Sequence, residues 1–399
     1  MSEKRIRFWL LSAALVVLTV VLGGCSSAGG GGRAAALTGA SWPGIAEAED
    51  ALYVAYGPQV YAVDPETGRD IWAYPVESER NRTFYAPPAV GDDMIVVGDY
   101  SNTLTALNPD NGSELWTFNA DRRFVGGAAI GDEMVYAGTV DGELHAVDRT
   151  TGNEVWAFDV DRDSWSTPLL DGNAVYVTAL DRHVYALDAS SGDLLWQFPA
   201  DGETTDPAMG AMAGTPTLVD GTLIFGSFNN HVYALDVDSQ QIKWTYPTTN
   251  WVWSSPTYDE ASGLLIGGDL DGRVFGLDAE TGEEVWTFET GGPVVGAPVI
   301  TEGEDGETLV YFTSEDANLY VLNAETGTQA ETPVGLEAEF TTRFLFFPGG
   351  TNIRPIPIYA PPILIDDLII LGAHQGDNLL YALDRETLLD RWQFNAVSS

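Results

Sequence analysis

The chain has 399 residues, 59 acidic and 18 basic, for a formal charge of −41. Such a surface repels polyphosphate and excludes a nucleic-acid binder, while 45% apolar and 11% aromatic residues exclude a disordered chain. A single cysteine excludes an intramolecular disulfide and any multi-thiolate metal site.

Residues 1–25 read as a targeting segment. Lys4, Arg5 and Arg7 precede an apolar run from Phe8 to Leu22, shorter than the ~20 residues of a spanning helix. The run ends in Leu22-Gly23-Gly24-Cys25-Ser26, which resembles a bacterial lipobox, with Cys25 acylated as the new N-terminus. The alternative is an uncleaved anchor with an incidental cysteine. Residues 26–40, Ser/Gly-rich from Ser26 to Gly32, read as a flexible tether. Cleavage leaves fifteen basic and fifty-eight acidic residues, a charge of −43. The expectation is an extracytoplasmic body held by lipid to the cell membrane or to the periplasmic face of an outer membrane, the second of which Ser26 fits.

From 41 to 396 one motif recurs eight times. Its clearest copy is Ala62-Val63-Asp64-Pro65-Glu66-Thr67-Gly68, with Trp72 four residues beyond. Trp116, Trp156, Trp196, Trp244, Trp286 and Trp392 close six further copies, and Glu331 stands in the tryptophan slot of the eighth. Two copies have Gln240 and Leu388 in place of the glycine. Intervals are 40 to 48 residues, except a last one of 61. Each unit reads as four short strands with turn residues between them, which predicts an all-β, eight-bladed propeller of four-stranded antiparallel blades forming one domain. The Asp and Thr side chains are suited to cap the backbone of the turn between strands three and four, and glycine supplies its positive φ. The tryptophans are expected to dock between blades, each burying up to ~250 Å². The small Ala two residues before the Asp is expected to receive a neighbour's indole.

This Ala-x-Asp-x-x-Thr-Gly-x-x-x-Trp pattern resembles the docking repeat of the PQQ-repeat eight-bladed propellers. Two branches of that family share it: quinoprotein dehydrogenases, and BamB-like lipoproteins that act as scaffolds in outer-membrane protein assembly. Size, lipobox and the lack of further domains resemble the second branch. The resemblance implies a monomeric, non-catalytic platform for a protein partner in the cell envelope, without a cofactor. The runner-up is an oxidoreductase dependent on PQQ with Ca²⁺ or another metal. A third reading is a substrate- or glycan-binding lipoprotein using the central channel. The vicinal cysteines of many such dehydrogenases are absent, since the sole cysteine is the proposed lipid site.

No catalytic constellation emerges. Asp159-x-Asp161-x-Asp163 is the best Ca²⁺ candidate, but Ser164 and Leu170 replace the Gly and Glu that an EF-hand loop requires, and a solvated acidic loop is the competing reading. Asp269-x-Asp271-Gly272 reads as a hairpin turn. His183 and His231 share one repeat position, His145 replaces a strand tyrosine and His374 is isolated, so no metal site is predicted.

Loops leading from strand four to the next strand one gather at one mouth of the ring. They carry Arg80, Arg82, Arg122, Arg123, Arg162, Arg343 and Arg354, seven of the fifteen basic residues beyond the leader, with the aromatics Phe84, Tyr85, Phe124, Trp165, Trp251 and Trp253. Two outcomes are open: a partner-binding rim, or arginines each paired with a nearby carboxylate. The long stretch Thr332 to Ala360, with Phe340, Phe344, Leu345, Phe346, Phe347, Ile353, Ile356 and Ile358, either packs over the blade lacking its tryptophan or offers a docking surface. Ala34 to Ser41 is a candidate extra strand across the seam.

Overall fold

Each repeat folds into one sheet of four antiparallel strands taken in chain order. In this computed structural model the described residues are 44–48, 50–79, 82–84, 86–254, 256–303, 306–341, 351–373 and 378–396, without the side chains of 338–341 and 351–354. Cys25, the tether, the stretch 34–41, Arg80, Tyr85, Arg343 and His374 lie outside them. No helix occurs among the described residues.

Blade 1 runs from its first strand, Gly44–Ala48, to its fourth, Asp70–Tyr74; blade 2 from Ala89–Val90 to Glu114–Asn119; blade 3 from Phe124–Ile130 to Glu154–Asp159; blade 4 from Leu169–Asp171 to Leu194–Phe198. Blade 5 runs from Thr217–Val219 to Gln241–Pro247, blade 6 from Thr257–Asp259 to Glu284–Glu289, blade 7 from Val299–Glu302 to Val334–Gly335, and blade 8 from Ile363–Ile365 to Asp390–Phe394. First strands of adjacent blades approach one another, blade 1 against both blade 2 and blade 8, which places them around the axis of an eight-bladed ring. Second and third strands, such as Ile95–Gly98 and Leu104 to Leu107, are buried on both faces and form the interblade cores.

The motif's turn works as its residues suggest. Asp64 Oδ1 accepts from the backbone N–H groups of Glu66 and Thr67, and Gly68 N donates to Asp64 O. These bonds favour the carboxylate form. Hydrogen bonds from the turn likewise hold Asp148, Asp188, Asp236, Asp278 and Asp384 below the ordinary aspartate value.

Each indole then reaches across to the next blade. Trp72 Nε1 donates to Pro109 O at 2.7 Å, Trp116 to Arg149 O at 2.7 Å, Trp156 to Ala189 O at 3.0 Å, Trp244 to Ala279 O at 3.1 Å and Trp286 to Ala324 O at 2.9 Å. Trp392 donates to Pro65 O at 2.8 Å, so the same contact joins blade 8 to blade 1. The expectation for the small alanine needs correction. Ala62 lies opposite Trp72 of its own sheet, as Ala106 does Trp116 and Gly276 does Trp286. The residue makes room for its own indole, since a Cβ on Gly276 would fall 2.3 Å from Trp286. It is the turn glycine that receives the neighbour: a Cβ on Gly68, Gly112, Gly152, Gly192, Gly282 or Gly327 would fall 2.4–2.8 Å from an incoming indole carbon. Trp196 faces the turn bearing Gln240, is only partly buried, and its N–H makes no such bond among the described residues.

Blade 7, without its tryptophan, is closed differently. Leu336, Ile356 and Ile358 are buried in one cluster with Val321, Ile369 and Leu383, and Leu388 packs against it. Leu388 thus stands where no indole arrives to demand glycine. The described ends of the stretch 332–360 therefore pack over the defective blade, and between them Glu337–Thr341 pairs with Thr351–Pro355 as a hairpin.

Candidate interaction face

Alternating strand direction puts the blade-to-blade loops and the hairpins between second and third strands on one face, here the upper face; the tryptophan docks line the lower one. A stitch repeats around the upper face. Tyr100, Val140, Leu180, Phe228, Leu270 and Glu315, each in such a hairpin, donate a backbone N–H to Thr83, Arg123, Asp163, Ala211, Trp251 and Pro293 of the loops. One residue on, each of these six loops drops a fully buried side chain into the ring: Phe84, Phe124, Ser164, Met212, Val252 and Val294. Phe84 and Phe124, expected among the rim aromatics, are therefore plugs. Glycine at the end of strand two makes the space, as a Cβ on Gly98 would meet Phe124 at 2.4 Å and one on Gly268 would meet Val294 at 2.5 Å.

The arginines divide. Arg82 turns inward: its Nε meets Asp99 Oδ2 at 2.7 Å, its two NH groups reach Tyr74 Oη and Thr105 Oγ1 at 2.9 Å, and its side chain is 10% exposed. Tyr74 also donates to Glu114, and burial first, then this bond, push its hydroxyl up to about 12. Arg82 is an interblade tie and not a rim cation. Arg122 and Arg123 stay outside. Arg122 Nε lies 3.6 Å from Asp141 with both side chains more than half exposed. Arg123 makes no ion pair among the described residues and lies over the Tyr100 ring at 5.2 Å. With Asn102, Asp121, Val140 and Asp141 they line an open cleft of about 360 Å³ between blades 2 and 3. Arg162 is exposed on the next loop, and Arg354 lies in a strand of the hairpin with its side chain outside the described residues.

The tryptophans gather from the loop that also carries Arg162 and from blades 5 and 6. Trp165, Trp253, Phe228 and Trp251 form a row with successive ring-centroid distances of 6.0, 5.1 and 4.8 Å. All four rings are partly buried. The stitch explains how loops two blades apart meet: Trp165 and Trp253 both lie two residues past their stitch acceptor, and the intervening loop has Ala213 there. Tyr100, Asn102, Ala213 and Phe228 were missed by sequence reasoning, although hairpins two-three share a face with the rim loops by strand direction alone.

Of the acidic candidates, Asp163 and Asp269 are structural acceptors, while Asp161 is exposed. Asp163 takes the Asp141 N–H on one oxygen and Trp165 Nε1 on the other. Asp269, fully buried, accepts from Thr249 N and Oγ1, Asn250 N, Asp271 N and Arg273 N, as a hairpin turn requires. Among the described residues no three His, Cys, Asp or Glu converge in a way that would hold a metal. His145 is buried with Nδ1 2.8 Å from Glu154, beside Phe118 and Phe124. His183 and His231 each lie beside the tyrosine of their own strand, Tyr185 and Tyr233, the shared repeat position made visible.

A family model described as "Outer membrane protein assembly factor BamB" matches residues 31–120, 100–251 and 252–332. An outer membrane protein assembly factor BamB from Xanthomonas campestris pv. campestris is 36% identical over 63 residues, which is 14% of this chain and only 16% of that protein's length. Among solved structures, BamB from Moraxella catarrhalis superposes with a TM-score of 0.65 at 19% identity, covering 85% of this chain and 95% of that one. The computationally designed Ika8 protein gives a TM-score of 0.66 at 14% identity, covering 86% and 96%. At these identities the two structures speak for the fold alone. With family matches running from residue 31 to 332 of an eight-sheet ring, the chain belongs to the BamB family of PQQ-repeat β-propellers.

Proposed function

We propose that the chain is a lipid-anchored, extracytoplasmic scaffold without catalytic activity that recruits a protein of the envelope, in the assembly of outer-membrane proteins, through its upper face. Family membership supports the role. The observation that carries the choice of face is the cleft at Arg122 and Arg123: in a chain of charge −41, two exposed guanidiniums flank a hollow, and among the described residues the one carboxylate paired with either is exposed and 3.6 Å away. Exposed pairs of this kind are worth ~1 kcal/mol or less, so a partner carboxylate competes for them readily. Arg162 belongs to the same sector. The lower face is occupied by the tryptophan docks between blades.

The test is capture from native envelopes with purified lipidated protein. Arg122→Glu with Arg123→Glu is expected to abolish capture of the partner held by the wild type while leaving the melting temperature unchanged. Undiminished capture rejects this face. Quinone and calcium have no part in this reading; a quinone absorbance acquired on adding PQQ and Ca²⁺ would replace it with the oxidoreductase alternative.

A further inference from the structure

Three of the four rings, Phe228, Trp251 and Trp253, sit in stretches unlike the rest of the molecule, while Trp165 follows the charged run Asp161-Arg162-Asp163. Charged residues make up 19% of the chain, yet none occurs from 207 to 219, from 221 to 235 or from 244 to 258. Those stretches supply Ala213, Phe228, Trp251 and Trp253, together with the amide side chains of Asn229, Asn230 and Asn250 and the hydroxyls of Thr248 and Thr249. Two of the carboxylates near the rings are engaged by the loops themselves, while Asp161 and Asp271 are exposed. Asp163 is occupied by Asp141 N and Trp165 Nε1, and Asp269 is buried beneath five donors. Trp165 and Trp253 are tilted at 42°, so they form a wedge and not a closed stack. In the same region the Asn229 Oδ1 and Ser254 Oγ atoms are buried without a hydrogen-bond partner.

Aromatic faces carry negative charge density and attract weakly positive C–H groups, while amides and hydroxyls pair with ligand hydroxyls without requiring charge. A polyanion is disfavoured by the whole surface. A flat, uncharged, hydroxyl-rich chain fits both the rings and the uncharged border of Phe228, Trp251 and Trp253. We propose that the upper face of blades 4 to 6 binds a neutral oligosaccharide of pyranose rings, separately from the arginine cleft of blades 2 and 3. This deepens the scaffold reading by giving the same face a second, glycan-holding sector, but it stands or falls independently of protein recruitment.

The experiment titrates the intact protein with cellohexaose and with chitohexaose, read by tryptophan fluorescence and calorimetry. Saturable binding of at least one is expected. Trp165→Ala and Trp251→Ala remove the two ends of the row and leave the inner pair stacked; each is expected to weaken binding about tenfold with an unchanged melting temperature. Arg122→Glu with Arg123→Glu is expected to leave glycan binding intact while abolishing partner capture, so the two proposals fail separately. Absence of saturable binding by both sugars overturns the inference. So does binding that survives loss of both end rings, or a row that retains proline-rich peptide but no sugar.

Discussion

Replacing Gly112 by alanine tests the interblade dock. Gly112 has φ +68°, and a Cβ there would lie 2.6 Å from Cε3 of Trp72. Gly263 has nearly the same backbone, φ +72°, but a Cβ there meets nothing within 4 Å. Left-handed backbone alone costs an alanine about 1–2 kcal/mol at either site. At Gly112 the indole must also move, which adds overpacking of about 1–3 kcal/mol. Trp72→Ala alone should cost about 3–5 kcal/mol. Once that indole is gone, Gly112→Ala should fall to the Gly263→Ala value, a coupling of about 1–3 kcal/mol in a double-mutant cycle. The chain contains a natural version of this cycle: blade 7 lacks the tryptophan, and blade 8 carries Leu388 at φ +56° in the glycine slot. Chemical denaturation of the four variants supplies the numbers. Equal destabilisation by Gly112→Ala and Gly263→Ala, or purely additive effects with Trp72→Ala, would refute the reasoning.

Other outcomes follow from the same contacts. Arg82→Ala strands the buried Asp99, 1% exposed, and should cost about 3–5 kcal/mol, whereas Arg122→Ala should cost about 1 kcal/mol or less; equal denaturation midpoints would contradict the division of the arginines. The turn aspartates Asp64, Asp148, Asp188, Asp236, Asp278 and Asp384 titrate lower when folded. Their contribution is therefore present above the unfolded aspartate value of about 3.9 and is lost as pH falls through the folded values. Asparagine, already used at Asn108 and Asn323, keeps the turn's acceptor but not the proton linkage; converting the six aspartates should flatten the dependence of melting temperature on pH below about 4, and an unchanged slope would count against it. With −41 charges, melting temperature should rise as added NaCl shortens the screening length from ~10 Å at 0.1 M to ~3 Å at 1 M; a flat response would show that self-repulsion does not limit stability. Ile356→Ala, at 1% exposure in the closure of blade 7, should cost about 2–5 kcal/mol in the same assay.

The architecture was legible because one unit is written eight times: each Asp-x-x-Thr-Gly turn and each tryptophan repeats the same local physics, so copies degraded at Gln240, Leu388 and Glu331 could still be placed. What the tryptophan packs against was misread, because a motif in one strand gives no distance to the next sheet; the glycine was credited with φ alone when the neighbour's indole also presses on it. The rim was only half legible. Loop position showed that Arg82 and Arg122 share a face, but not that Asp99 lies beneath one and solvent beside the other. Phe84 and Phe124 looked like exposed aromatics until the repeating stitch placed them as plugs. The aromatic row depends on Ala213, a residue with no chemistry of its own, and on loops two blades apart, so nothing local announces it.

The claim on which the functional account rests is that the upper face meets the envelope partner. A photoreactive amino acid placed at Arg123 on that face, and separately at Glu66 in a lower-face turn, of the lipidated protein in intact envelopes addresses it directly. The account predicts a discrete protein adduct from position 123 and none from position 66. An adduct from position 66 alone would contradict it.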